Sequence, residues 1–557
     1  MAENFKIGIM CDSMLLQLWE YASLERIKNS GYGDISLIIR NPSGKSRKNH
    51  QESTPGYSVV QFHQKLDALI FNQKNNYSKK KSISNLAENV PVLVPEQIED
   101  GNNVSFNKTD LSEIKKYNLD IILKFGFRSL KGEILHIPRY GIWSFPMSEN
   151  NNPLKITGGY MEMINKEPVT DSMVTILTEV PENNTIISFS RESTCSYSIN
   201  LTRNKIHWRS SLFVPRVLAG LHKYGEDYLK DLLKKHELEK EDLSSRFQMP
   251  AVSTAILNLF SHFTLAFRKV VKKIFYTDAF KWVLFYNTNK CNATDAFRSN
   301  FNAFKKLQPP KGKFWADPFI VAKNGKYYVF VEEFIYRTNR GHISVLELDQ
   351  TGQLLNNQII INKPYHMSYP FIIEEDKTYY MIPESSENGT IDLYKCTRFP
   401  DKWEYARNIM KNLKAVDTTL FFYNNKWWLF TVIDETKGVS GCETELFLYY
   451  SDSVFSDTWK SHPLNPVVAD ARIARPAGNI FILDNKIYRP SQDCSVRYGN
   501  ALNLNEIVSL SETEYLEVPV FRREPAWDKK LRGMHTYNSD SGLSIIDAYS
   551  YHRRGSF

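Results

Sequence analysis

The chain has 557 residues, 42% hydrophobic and 24% charged, which is too long for one core and too apolar for disorder, so two or three folded domains are expected. A net charge of +8 spread over 70 basic and 62 acidic side chains leaves no basic face with an interleaved motif, which argues against a nucleic-acid partner. Cys11, Cys195, Cys291, Cys396, Cys442 and Cys494 form no CxxC pair, which argues against a zinc site or a disulfide framework.

The N-terminal sequence MAENFKIGIM opens on a buried strand and lacks the charged-then-apolar order of a signal peptide, so a cytoplasmic protein is expected. The run Phe5–Met10 predicts a central parallel strand, LLQLWEYASLERIKNSG a helix stopped by glycine, and ISLIIRN and LDIILKFGF further buried strands. Residues 1–205 therefore read as a Rossmann-like α/β domain.

Residues 206–310 read as a helical linker. VPRVLAGLHKYGEDYLKDLLKKHE is amphipathic, and a second helix is predicted from Val252 to Phe285. Ser, Asn, His and Lys interrupt that second helix too often for it to span a bilayer. Its aromatic and leucine-rich face beside Arg268, Lys269, Lys272 and Lys273 suits peripheral contact with an anionic membrane through 252–285; packing between domains is the plainer alternative.

From 311 to 557 the pattern changes to strands and repeats itself. DPFIVAKNGKYYVFVEE, YPFIIEEDKTYYMIPES, DTTLFFYNNKWWLFTVI, RPAGNIFILDNKIYRPSQD and the weaker HTYNSDSGLSIIDAYSYH recur roughly every 50–60 residues. Each reads as strand, polar turn, strand, the inner hairpin of a propeller blade, and five such units predict a five-bladed β-propeller. The residues that open the units, Asp317, Tyr369, Asp417, Arg475 and His535, would then converge on the axis. The second strands end at Glu332–Glu333, Glu384 and Gln492–Asp493.

Carboxylates gathered in one concavity can divide acid and base roles in glycosyl transfer, because each shifts the other's pKa. Asp317, Asp417 and Glu384 are the candidates for that chemistry. Glu333, Tyr369, Arg475, Arg489, Asp493 and His535 are the candidates for holding substrate, with the arginines suited to phosphate or carboxylate. The plainer reading of an Asp at such a position is a turn cap. No metal site is expected.

FWADPF, SYPF, IPESS, VDTTLF and ARPAG resemble the propeller of plant glucosamine inositolphosphorylceramide transferases and related bacterial proteins, and more distantly the five-bladed arabinanases and fructosidases. The distant resemblance implies active-site roles for Asp317 and Asp417, which match the Asp residues opening the first and third blades. The usual acid Glu of the fourth blade has no counterpart, and Glu384 is the substitute candidate.

The stretch from LDIILKFGF through PRYGIWSFP to VTILTEVPENNTII is similar to the formyltransferase fold of methionyl-tRNA and sugar N-formyltransferases. That family requires Asn-x-His on one loop and Asp on a later one. Ser144 and Pro146 stand where the Asn and His belong, and the later Asp either appears as Glu182 or is shifted. Proline cannot take or give a proton, so formyl transfer is expected to be lost.

The leading expectation is a cytoplasmic enzyme at the inner face of the membrane, carrying out glycosyl transfer in surface glycan or glycolipid synthesis. Its partner would be a sugar nucleotide, a sugar phosphate or a lipid-linked glycan. The alternatives are a sugar N-formyltransferase with a glycan-binding propeller, which alone would call for a tetrahydrofolate cofactor, and a non-catalytic glycan-binding scaffold.

Overall fold

A computed structural model describes residues 4–42, 55–101, 103–147, 158–240, 252–289, 292–299, 301–436, 438–439 and 441–553. They divide into two compact units, Met1–Phe267 and Arg268–Phe557.

The first unit is built on a seven-stranded sheet. In spatial order its strands are Val92–Leu93, Gly33–Arg40, Phe5–Cys11, Ile121–Phe125, Ile142–Ser144, Val169–Ile176 and Thr185–Ser193. The first five run parallel; each of the last two is antiparallel to the strand before it. Every residue of Ile121–Phe125 is buried, as expected for a strand covered on both faces. Helix Leu18–Ser30 ends where Gly31 turns left-handed at φ 72°, the predicted glycine stop. The first residues of the predicted helix, Leu15–Gln17, pair instead with Lys80–Ser82 as a strand.

The segment 206–310 is not one helical linker. Helices Ile199–Ser210, Phe213–Tyr224 and Glu226–Lys235 fall within the first unit, and Gly225 separates the last two. Helix Val252–Phe275 stops short of the expected Phe285. The sequence that follows, YTDAFKWVLFYN, is rich in aromatic side chains and becomes strand Tyr276–Asn287, because Leu543–Arg553 offers it an antiparallel partner. Among the described residues, no helix is long and apolar enough to cross a membrane. The side chains of Arg268, Lys269, Lys272 and Lys273 lie outside the described residues.

The described residues of the second unit form five antiparallel sheets. Three follow the chain: Lys313–Lys323 to Leu354–Ile361, Ser368–Glu375 to Lys402–Lys411, and Ala415–Tyr423 to Lys460–Ser461 with Val468–Ala469 added. In the fourth, the first strand is split into Arg475–Pro476 and Phe481–Leu483, and both pieces pair with Lys486–Asp493. The fifth joins both ends of the unit, its order being Lys305–Leu307, Tyr276–Asn287, Leu543–Arg553 and Tyr537–Asp540.

First strands meet in cyclic order. Lys313–Lys323 packs on Ser368–Glu375, that strand on Ala415–Tyr423, and that one on Arg475–Pro476, while Tyr537–Asp540 returns to Lys313–Lys323. The Tyr537 amide donates to Ala477 O at 2.8 Å and joins the fourth sheet to the fifth. Gly478 permits this approach: at φ 129°, a Cβ there would lie 2.1 Å from Tyr537 O.

Candidate active site

Three of the inner strands bulge at the same place. The register slips between Ala316 and Phe319, between Ser368 and Phe371, and between Val416 and Thr419. Within these bulges Asp317, Tyr369 and Asp417 have φ values of 51°, 42° and 51°. Left-handed backbone is strained for residues with a Cβ, and a bulge redirects the side chain it carries. Here the redirected side chains bond to residues of neighbouring sheets.

Asp317 Oδ2 accepts the Tyr369 amide at 3.2 Å, and Oδ1 accepts the Thr536 hydroxyl at 2.9 Å. His535 Nε2 lies 3.5 Å from Asp317 Oδ1, and its Nδ1 lies 2.7 Å from Asp547 Oδ2. The imidazole stacks on Trp282 at 3.8 Å. Asp547 also accepts the amides of Asp317, His535 and Thr536 at 2.9–3.1 Å. Burial pushes the Asp317 carboxyl up to about 6, with Asp417 and Asp547 adding to it and His535 opposing it. Burial alone would lower His535, but the carboxylates of Asp547 and Asp317 outweigh it and raise the imidazole.

The ligand atoms of Asp317, His535 and Asp547 lie within 4.8 Å of one another, a spacing that would admit a metal ion. A raised imidazole between two carboxylates supplies a positive charge of its own at that point, and the donor set is satisfied as it stands.

Asp417 anchors a second group. Its Oδ2 accepts Arg475 Nε at 2.5 Å and Gln492 Nε2 at 2.9 Å. The Arg475 guanidinium lies 4.8 Å from the centre of the Tyr498 ring, and its Nη groups have no protein hydrogen-bond partner among the described residues. Glu384 is half-buried and accepts the Ser386 hydroxyl at 2.9 Å. Burial, and then the charge of Asp417, push its carboxyl up to about 8 against the pull of Arg475. At neutral pH it therefore carries a proton within the field of the Arg475 cation.

The five unit-opening residues thus do converge, but three of the other side chains selected from the sequence, Glu333, Arg489 and Asp493, have different partners. Glu333 points away from the cluster. Burial alone would raise it, yet donors from His342, Lys313, Trp315 and Asn357 at 2.8–3.2 Å hold it down to about 2. Its neighbour Glu332 faces the axis, and burial together with Asp317 and Glu384 raises it well above the usual carboxylate range. Arg489 is occupied by a bidentate pair with Glu517 at 2.5 and 2.7 Å and by the carbonyls of Ile473 and Ala474. Asp493 caps Ser495 and pairs with Arg522, while Gln492, opposite Arg475 in the ladder, takes the axial position. Tyr369 is fully buried, and its hydroxyl is used by Thr419 and the Gly478 amide, so it braces the axis rather than facing a ligand.

Replacing Glu333 with Gln would turn an amide NH2 toward two of these four donors, since each carboxylate oxygen takes two of them. We expect a loss of about 1–3 kcal/mol in urea unfolding, with ligand binding at the axis unchanged.

Residues 304–541 match the family model "Glucosamine inositolphosphorylceramide transferase 1, N-terminal". The rice protein of that name (Oryza sativa subsp. japonica) is 33% identical over 210 residues, covering 37% of this chain and 28% of the rice chain. The Arabidopsis thaliana protein is likewise 33% identical, over 37% of this chain and 27% of its own. The chain thus spans under a third of the length of these relatives. Among solved structures, the family 117 glycoside hydrolase Zg3597 of Zobellia galactanivorans is similar at 11% identity, covering 43% of this chain and 87% of its own with a TM-score of 0.32. An exo-1,5-α-L-arabinanase from a bovine ruminal metagenomic library gives 16%, 44%, 95% and 0.31. At that level of likeness, the roles of the axial side chains rest on their own geometry.

In the first unit, Ser144 and Pro146 are buried at the carboxyl end of strand Ile142–Ser144. Glu182 is exposed in the turn Pro181–Asn183. It follows strand Val169–Ile176, whose last residue pairs with Trp143 and which runs antiparallel to Ile142–Ser144, so it leaves the sheet at the opposite end. The three positions do not form a common site.

Proposed function

We propose that the second unit is a five-bladed propeller whose axis carries glycosyl transfer on a sugar attached to a phosphoryl group, in glycolipid or surface-glycan synthesis. The carrying observation is the group built on Asp417: it holds Arg475 by Nε at 2.5 Å and leaves the Nη groups unused among the described residues, while burial and the charge of Asp417 push the half-buried Glu384 up to about 8. A protonated carboxyl can deliver its proton to the oxygen leaving a sugar, and a guanidinium can take a phosphoryl oxygen with two donors. Asp417 would fix both groups. Asp317, across the axis, would supply the carboxylate that activates the acceptor or steadies the oxocarbenium charge. The family match over 304–541 supports the substrate class, since the relatives are named as glucosamine inositolphosphorylceramide transferases.

For the first unit we propose a formyltransferase-like fold without formyl transfer. Supporting this are the doubly wound sheet and Pro146, which has no group able to move a proton where the family's histidine would act.

The test is calorimetric titration and turnover of the full chain with nucleotide sugars and glucosamine-bearing inositol phosphates, comparing wild type with Asp417→Asn. We expect wild type to bind one of these classes and the variant to bind it about tenfold or more weakly, as for loss of a charge-assisted contact. Failure of wild type to bind any sugar would sink the proposal. Binding untouched by Asp417→Asn would move the site off the axis.

A further inference from the structure

Among its described side chains, helix Val252–Phe275 is exposed on most of its circumference, and the exposed residues include large apolar ones. Asn258 and Leu259 are half-buried, whereas Leu257, Phe260 and Phe267 are 70%, 67% and 70% exposed and Ile256 is exposed as well. Residues 256, 260 and 267 stand at i, i+4 and i+11, so they stack on one face of the helix, with Leu257 at its edge. Large apolar side chains exposed singly are ordinary, but a row of them along one helix marks a surface that something covers.

The composition of the helix says what covers it. Val252–Phe275 contains no Asp or Glu, and its last turns bring Arg268, Lys269, Lys272 and Lys273. An apolar row followed by an unbalanced block of cations complements a surface that is greasy beneath and anionic on top. A protein partner would have to match a four-fold positive block with as many acids at one end of the row; an anionic bilayer offers that match everywhere along its plane. The helix is not apolar enough to cross a membrane, so it would lie in the interface.

We infer that Val252–Phe275 is an interfacial helix that docks the protein on an anionic lipid surface, with Ile256, Leu257, Phe260 and Phe267 entering the acyl boundary and the cations meeting phosphate headgroups. Such docking would hold the chain where lipid-linked substrates lie. It stands independently of the transfer reading, because it uses none of the axial residues.

The test is co-sedimentation of the full chain with vesicles of phosphatidylcholine alone and of phosphatidylcholine mixed with phosphatidylglycerol. Two variants are compared with wild type, Leu257→Ser/Phe260→Ser/Phe267→Ser and Arg268→Gln/Lys269→Gln/Lys272→Gln/Lys273→Gln. We expect wild type to bind the mixed vesicles at least about tenfold more tightly than the neutral ones, and less tightly as salt rises. Either variant should bind the mixed vesicles about tenfold or more weakly than wild type. Equal affinity for both vesicle types, no binding by wild type, or unchanged binding by the apolar variant would each overturn the inference. A dimer in wild type that becomes a monomer in the apolar variant would also overturn it, since a second copy would then be the cover. Sugar binding at the axis should be the same in all three proteins, which separates this outcome from failure of the transfer reading.

Discussion

Glu384→Gln should reduce transfer or sugar release by about 10²–10⁴-fold, the range for removing a positioned general acid. Gln retains the shape of the side chain and can still accept the Ser386 hydroxyl, but it has no proton to deliver to a leaving oxygen. The loss should therefore fall on kcat more than on KM. The pH profile makes the assignment specific. An acid must be protonated to act, so with Glu384 at about 8 the rate should fall as pH rises through about 8. A base must be ionised, so with Asp317 at about 6 the rate should fall as pH drops through about 6. The groups titrate together, and the two limbs belong to the cluster as a whole. The variant should lose the alkaline limb, and a substrate with a leaving group that needs no protonation should recover much of the lost rate. Activity within about twofold of wild type, or an alkaline limb that persists in Glu384→Gln, would remove Glu384 from the acid's role.

The convergence at the axis was legible because strand repeats place their first residues at equivalent positions, so Asp317, Tyr369, Asp417, Arg475 and His535 could be selected without knowing any distance. Which of two adjacent residues faces the axis was not legible. Side-chain direction alternates along a strand, and the ladder decides the parity: Glu333 pairs with Trp315 and turns with it, which leaves Glu332 facing the cluster. Gln492 and Asp493 repeat the same problem, settled by the pairing of Arg475 with Gln492. The bulges compound it, since an inserted residue shifts parity at the very position that carries the chemistry.

Trp282 was hidden for another reason. Its segment follows a helix with no break signal, and it becomes a strand only because Leu543–Arg553, far along the chain, pairs with it. Local sequence carries no record of that partner beyond a high aromatic content. Asp547 sits on that same distant strand, and it binds three amides and His535 at the centre of the unit. The fifth sheet therefore does two things: it joins the ends of the unit and supplies one wall of the site.

That dual role makes His535 the point where site and stability meet. His535→Phe keeps a ring against Trp282 and removes only the polar atoms, leaving Asp317 and Asp547 buried beside each other without the imidazole. Breaking a buried ion pair from one side typically costs about 3–5 kcal/mol, and a loss of that size is expected in urea unfolding of the full chain followed by tryptophan fluorescence. Its pH dependence follows from the directions of the shifts. His535 is raised on folding, so its contribution is complete below its ordinary 6.5 and is lost as pH climbs through the folded value. Asp317, raised from 3.8 to about 6, and Glu384, raised from 4.5 to about 8, have the same sign: the unfolded chain releases their protons first, and stability falls as pH rises across those intervals. Glu333, held at about 2, acts oppositely and only below 4.5. Wild type should therefore be most stable on the acid side of neutrality. The penalty of His535→Phe should grow as pH rises above about 6, where Asp317 ionises against the imidazole in wild type but has no cation to meet its charge in the variant. Adding Asp317→Asn to the variant should restore part of the loss near pH 7 and little near pH 4. A penalty independent of pH, or no recovery in the double variant, would mean that the imidazole fills space at the axis and does not hold the two carboxylates.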